Sequence, residues 1–187
     1  MTVVASKTAA LSKTAASNDI VLRPQALTAA GFAAFGDVIE TDGRQARPIN
    51  EGTCLRFDDL AHVDVLEQGG RPALSIFEAE ARPSPVRVRA LERHPLASQA
   101  FMPLQPEPFL IIVAEEGLVA EEGRAPLAER LRVYLSSGRQ GVNYRRNVWH
   151  HPLIALTPGA RFLVVDRAGP GQNCEEYVLE AGVVVEL

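Results

Sequence analysis

The chain has 187 residues, 47% hydrophobic and 22% charged, with a formal net charge of -4, the profile of a globular protein long enough to bury a real core. That balance offers no field to attract nucleic acid, and no apolar run approaches the ~20 residues of a membrane helix. Two cysteines, Cys54 and Cys174, are too few for a disulfide framework and lack metal spacing, which fits a reducing, cytoplasmic compartment.

Residues 1–19 contain a short echo, Ser6-Lys7-Thr8-Ala9-Ala10 and Ser12-Lys13-Thr14-Ala15-Ala16, but no aromatic, Gly or Pro. Without the apolar centre of a secretory signal, they read as a flexible N-terminal extension, leaving residues 20–187 as a single domain. Ile20 to Pro24 reads as a short strand ended by its proline. Thr28 caps a brief helix, Ala29 to Phe35, which Gly36 stops. Asp37 to Glu40 is extended and leads into a turn at Asp42-Gly43. Leu74 to Ala79 and Val86 to Leu91 alternate with the period of a strand. Phe109 to Ala114 is a continuous apolar run of buried-strand length; Leu131 to Leu135, Leu153 to Leu156 and Phe162 to Val165 repeat that form. Between Glu115 and Arg130 the composition turns to Glu, Gly and Ala, which fits a loop with a short helix. Tyr177 to Leu179 and Val183 to Val185 close the chain. Many short strands with Pro and Gly between them predict an all-β, mainly antiparallel sandwich or barrel with a few short helices. Closure into a barrel would also remove exposed strand edges.

Two stretches concentrate the chemistry. Gly141 to Leu153 holds the sole Trp, two of the four His and the adjacent Arg145 and Arg146. Leu91 to Leu104 places Glu92, Arg93 and His94 before Pro95, with Gln99 close behind. Glu92, His94 and Gln99 are each capable of metal binding or proton transfer, and imidazoles on two separate strands are what a barrel needs to point several ligands into its mouth. The bland alternative is that His94 and His151 each end a strand before a proline. Beyond residue 19 every basic residue is Arg, whose planar fork suits carboxylates, although ion pairing with Glu would use it equally well. The chain shows no Ser-His-Asp arrangement, phosphate loop or dinucleotide fingerprint.

Taken together, Glu92-Arg93-His94-Pro95-Leu96 with Gln99-Ala100-Phe101, Gly141-Val142-Asn143-Tyr144, Trp149-His150-His151-Pro152-Leu153 and Asp166-Arg167 resemble the ureidoglycolate lyase family of allantoin catabolism. Phe35-Gly36-Asp37-Val38-Ile39, Ile49-Asn50 with Gly52, and Leu66-Glu67-Gln68 fit the same family in the same order, so the likeness covers roughly residues 20–175. The resemblance implies a cupin-like β-barrel or jelly roll, a homodimer, and cleavage of (S)-ureidoglycolate to glyoxylate and urea; it also suggests a divalent metal, with Ni2+ favoured. Some members have His where this chain has Arg145, so an imidazole role is missing there, although an Arg at that position can bind an anion. The chain also lacks the His-x-His usual in a first cupin motif, and Glu92, His94, Gln99 and His150 are the nearest substitutes as metal ligands. A cupin-like enzyme or sensor for another small carboxylic acid is the alternative.

Ureidoglycolate carries a hydroxyl, a carboxylate and a ureido nitrogen on one carbon. Its cleavage needs a base for the hydroxyl proton and an acid for the departing nitrogen. On the family reading, His150 or His94 carries the proton or binds metal, and Glu92 orients it or acts as base. Arg56, Arg93 and Arg146 are candidate carboxylate clamps. Asn50 and Gln99 would hydrogen-bond the urea group, and Tyr144 joins the substrate-binding set. Trp149 is expected to be a packing wall. If His150 faces the barrel interior, alternation turns His151 outward, toward a dimer partner.

Overall fold

Phe109–Ala114 is apolar at every position because both of its faces are covered. Phe109, Ile111 and Val113 enter one core with Phe101, Val142, Phe162 and Val164. Leu110, Ile112 and Ala114 enter a second core with Val86, Val88, Leu91, Val183 and Val185. A strand buried on both faces has no polar face to alternate with.

The computed structural model describes residues 19–115 and 130–187. The expected N-terminal extension and the loop with a short helix after Glu115 therefore lie almost wholly outside the described residues. In chain order the elements are β1 (Ile20–Leu22), β2 (Gln25–Ala26), α1 (Ala29–Phe32), β3 (Gly36–Ile39), β4 (Arg47–Ile49), β5 (Cys54–Arg56), β6 (Arg71–Ala79), β7 (Val86–Arg93), β8 (Gln99–Pro103), β9 (Phe109–Ala114), β10 (Leu131–Leu135), β11 (Gly141–Tyr144), β12 (Ile154–Ala155), β13 (Ala160–Ala168) and β14 (Glu175–Val185). One sheet has the order β3-β11-β8-β13-β6; facing it is β12-β9-β10-β2, while β1-β14-β7 covers the second core. β4 and β5 form a separate hairpin. Most pairings are antiparallel, with β1–β14 and β10–β2 parallel. This is the all-β, mainly antiparallel architecture that the strand pattern predicted, and it is consistent with the cupin-like fold that the resemblance implies.

Three local expectations need correction. The helix is a single turn ending at Phe32, with Thr28 accepting the Gly31 N–H at 3.1 Å. Gly36 does not stop it; it opens β3 at φ 153°, where a Cβ would collide with the carbonyl oxygen of Asn143 on β11. The run from Leu153 contracts to the two residues of β12, and the two C-terminal runs fuse into β14 with a register shift between Val178 and Val183.

Residue 150 joins two of these sheets. His150 pairs with Glu92 of β7 on one side and with Val113 of β9 on the other. Its N–H donates to the Glu92 carbonyl at 2.9 Å, and the Glu92 N–H returns the bond to the His150 carbonyl at 2.7 Å. On the β9 side, Ala114 N–H donates to Trp149 O and His151 N–H to Ile112 O, both at 2.9 Å.

Candidate metal centre and active site

That two-sided clamp presents the His150 side chain to the interior beside Glu92. Alternation along β7 puts Glu92 on the same face as His150, and β8 brings Gln99 opposite Tyr144 of β11. Tyr144 stacks on the His150 imidazole, with centroids 4.1 Å apart and ring planes 13° apart. Burial, reinforced by the Glu92 charge, pushes the Tyr144 phenol well above its ordinary value of 10, so it stays neutral.

The two interior imidazoles are held in one tautomer. His150 Nδ1 lies 2.9 Å from the Val148 carbonyl, and His94 Nδ1 lies 2.7 Å from the Asn173 carbonyl. A carbonyl only accepts, so each Nδ1 carries a proton, and Nε2 is the position on each ring that takes up either a second proton or a metal ion. His94 Nε2 is buried with no hydrogen-bond partner. His150 Nε2 faces Gln99 Oε1 at 3.3 Å and Glu92 Oε1 at 3.5 Å. Acceptors turned toward acceptors repel unless a cation, either a proton or a metal ion, lies between them. Glu92, His94 and His150 each offer a ligand atom within 4.8 Å of the others. One carboxylate and two imidazoles suit a divalent transition metal. Burial works against the Glu92 charge, but the His150 hydrogen bond and the charges of His150, His94 and His151 outweigh it, holding the carboxyl below its ordinary 4.5.

A cavity of about 320 Å³ opens beside this cluster, lined by His94, Ser98, Gln99, Asp166, Arg167, Asn173 and Cys174 among others. Asp166 and Arg167 belong to the motifs quoted above, but sequence reasoning gave neither a role. The signal was present for Asp166, because Phe162 and Val164 are buried and residue 166 shares their face of β13. Burial raises the Asp166 carboxyl above its ordinary 3.8 against the opposing pull of His94. Arg167 is nearly buried; its Nε and Nη2 donate to the carbonyls of Glu67, Gln68 and Pro170. Asn173 left no signal at all: its carbonyl accepts a hydrogen bond from His94 Nδ1–H and its Oδ1 accepts one from the Leu96 N–H, from across 77 to 79 positions.

The three arginines expected as clamps are engaged elsewhere. Arg93 pairs with Glu175 at 2.6 Å and lies 4.7 Å over the Trp149 ring, on the opposite face of β7 from Glu92. Arg146 pairs with Asp64 and Glu67 at 2.8 and 2.9 Å, and with Arg145 lines a different cavity, about 420 Å³. Arg56 pairs with Asp58 on the exposed β4–β5 hairpin, whose tip carries Asn50 at φ 50°. Trp149 is buried against Tyr177 and walls the second core. His151 is also buried, on the face opposite His150; burial above all, with Arg82 adding to it, pushes its imidazole below the ordinary 6.5.

These features define a class: an all-β, mainly antiparallel protein whose interior carries a Glu-His-His cluster able to hold a metal ion beside a small polar cavity. The comparisons then place it. Residues 19–186 match the family model described as Ureidoglycolate lyase, and the chain belongs to that family. It is 50% identical over 153 residues to a ureidoglycolate lyase of Burkholderia mallei, covering 82% of this chain and 86% of that one. Identity to the Azotobacter vinelandii ureidoglycolate lyase is 50% over 157 residues, 84% and 91% of the two chains. For the Pseudomonas syringae pv. syringae protein of that name it is 48% over 167 residues, 89% and 94%. Among solved structures, a 3,4-ketoisomerase from Helicobacter canadensis aligns over 72% of this chain and 84% of that one, at 13% identity and a TM-score of 0.36.

Proposed function

We propose that the chain is a ureidoglycolate lyase acting as one domain over residues 20–187, cleaving (S)-ureidoglycolate to glyoxylate and urea in allantoin breakdown. The observation that carries this reading is the convergence of one nitrogen each from His94 and His150 and the Glu92 carboxylate within 4.8 Å, beside a small polar cavity that His94 and Gln99 line. Among relatives, proteins named ureidoglycolate lyase are about half identical over most of the chain.

The donor set fits a divalent ion: His94 Nε2 is buried and unpartnered, and the Glu92 and Gln99 oxygens both face His150 Nε2. Glu92, His94 and His150 would hold it, with Gln99 beside them, and Ni2+ suits imidazole-rich ligation. Such an ion would acidify the substrate hydroxyl as it does bound water. Asp166 takes the hydroxyl proton; the O–H electrons form the new carbonyl as the carbon–nitrogen pair leaves with urea, and the proton is returned to that nitrogen. Arg167 donates to the substrate carboxylate through Nη1, the guanidinium nitrogen its carbonyl partners leave available. Tyr144 holds the His150 ring flat and excludes water.

The test is urea release from racemic ureidoglycolate before chelation, after it, and after adding Ni2+ or Mn2+. Release should fall on chelation and return with metal. No release above the spontaneous rate in any condition refutes the reading. For the proton carrier, Asp166→Asn should lower kcat by about 100-fold or more with KM little changed, and unaltered kcat removes Asp166 from the mechanism.

We read the protein as a cytoplasmic homodimer. On the outer face of the five-stranded sheet, Leu74 (70% exposed) and Ile76 (49%) lie on β6, an edge strand of nine residues. Such an edge calls for a cover, which a second copy would supply. Light scattering decides: a monomeric mass at micromolar concentration rejects the dimer. No described helix is long and apolar enough to cross a membrane.

A further inference from the structure

Behind the strand that carries His150, on the face to which alternation turns His151, lies a second groove of about 540 Å³. It is larger than the cavity beside His94, and its lining joins Arg82, Arg87, Arg89 and His151 with three prolines, Val86 and Ala90. No carboxylate is among the lining residues. Arg87 donates to Asp19 at 2.9 Å from outside the groove, whereas neither Arg82 nor Arg89 has a side-chain partner among the described residues. Arg71, Arg139 and Arg145 are likewise outside the ion pairs of the described residues, but Arg82 and Arg89 line one groove together, beside a buried imidazole and with no carboxylate in its lining. His151 sharpens the case. The residue is only 7% exposed, and its Nδ1 proton goes to the Pro152 carbonyl at 2.7 Å. The nitrogen left over is Nε2, an acceptor. A ligand satisfying both needs an oxyanion for the guanidiniums and an O–H for the imidazole; sulfate, halides and simple dicarboxylates lack the second group.

We propose that this groove is a second ligand site, distinct from the Glu92–His94–His150 centre, for a small hydroxy carboxylate whose carboxylate pairs with Arg82 and Arg89 and whose hydroxyl donates to His151. Carbon atoms of Pro83, Pro85 and Pro152 wall the ligand's backbone. Monohydrogen phosphate shares the recognition chemistry, since it joins an oxyanion to an O–H, and is kept as a separate arm of the test.

The experiment is calorimetric titration of the purified protein with malate, succinate and inorganic phosphate in turn. Malate should bind saturably at millimolar concentration or below; succinate, the same diacid without the hydroxyl, should bind at least ten-fold more weakly. The double variant Arg82→Gln/Arg89→Gln should lose at least ten-fold in malate affinity, and His150→Ala should keep it. Far-ultraviolet circular dichroism verifies the fold of each variant, and Arg89→Glu alone serves as a second probe if the double variant misfolds. The proposal is overturned if malate does not saturate, if succinate matches it, if the arginine variants bind as well as the parent, or if His150→Ala abolishes binding. Phosphate binding more tightly than malate through the same arginines overturns the carboxylate assignment. Urea release plays no part in these outcomes, so this site and the lyase activity stand or fall separately.

Discussion

Metal should stabilise this protein through the Glu92–His94–His150 cluster, and the size of the effect follows from the geometry. In the metal-free protein, His94 Nε2 is buried without a partner, an arrangement that costs about 1–3 kcal/mol. A cation satisfies that nitrogen together with His150 Nε2 and Glu92. By mass action, metal at a hundred times its dissociation constant adds ~2.7 kcal/mol. For a chain of 187 residues, each kcal/mol moves Tm by about 2–4 °C, so saturation should raise Tm by roughly 5–11 °C. The assay is differential scanning fluorimetry of chelator-stripped protein with Ni2+, Mn2+ or Mg2+. Ni2+ should act most strongly and Mg2+ least, because imidazole donors favour the softer ion. The shift should vanish in His94→Ala and shrink in Glu92→Gln. A Ni2+ shift of equal size in His94→Ala would refute the reasoning, because the metal would then be binding elsewhere; so would no shift in the parent protein at millimolar metal.

Other perturbations separate the roles of neighbouring residues. His150→Ala should cut urea release by ~100-fold or more, whereas His151→Ala should keep most of it; equal retention in steady-state assays sinks the interior assignment. Gly36→Ala forces a Cβ against the Asn143 carbonyl at a positive φ and should cost ~3 kcal/mol, read as a Tm about 6–12 °C lower. A Tm within 1 °C of the parent would show that β3 and β11 can part freely. Stability should also fall with acid. The folded His151 pKa lies below the ordinary 6.5, so the unfolded chain takes up the proton first. That contribution is whole above pH 6.5 and is lost as pH falls from there toward the folded value. Glu92, held below 4.5, gives a loss of the same sign at still lower pH. Urea midpoints measured between about pH 5 and 6.5 should slope downward with acid, and His151→Gln should flatten the slope; an unchanged slope refutes the account.

β9 and β10 were legible because a strand buried on both faces, or packed on one with its neighbours, is spelled in aliphatic residues. β8 and β11 were not. In Gln99-Ala100-Phe101-Met102-Pro103 and Gly141-Val142-Asn143-Tyr144 the interior face mixes Gln99 and Tyr144 with Phe101 and Val142. Asn143, on the other face, is buried by its bonds to Asp37 and the His62 carbonyl. Strands that wall a polar site have no clean period 2. The imidazoles, Glu92 and Gln99 could be guessed because few roles suit them when grouped, and the structure does bring Glu92, His94, Gln99, Tyr144 and His150 together. The arginines could not, since a guanidinium serves a surface carboxylate as readily as a substrate. What decides between them is whether Glu175, Asp64, Glu67 or Asp58 arrives first, and those partners are set by pairing far along the chain.

The placement of His150 shows why the site tolerates such irregular surroundings. Its position rests on four backbone hydrogen bonds to β7 and β9, none of which involves its imidazole. Replacing the ring leaves that clamp intact, so His150→Ala should fold while losing the donor, and its effect on rate can be read as chemistry rather than collapse. Glu92 is held by the same pair of backbone bonds from the other side. The two residues at the centre of the site thus fix each other's backbones, and their side chains are left free to hold a cation.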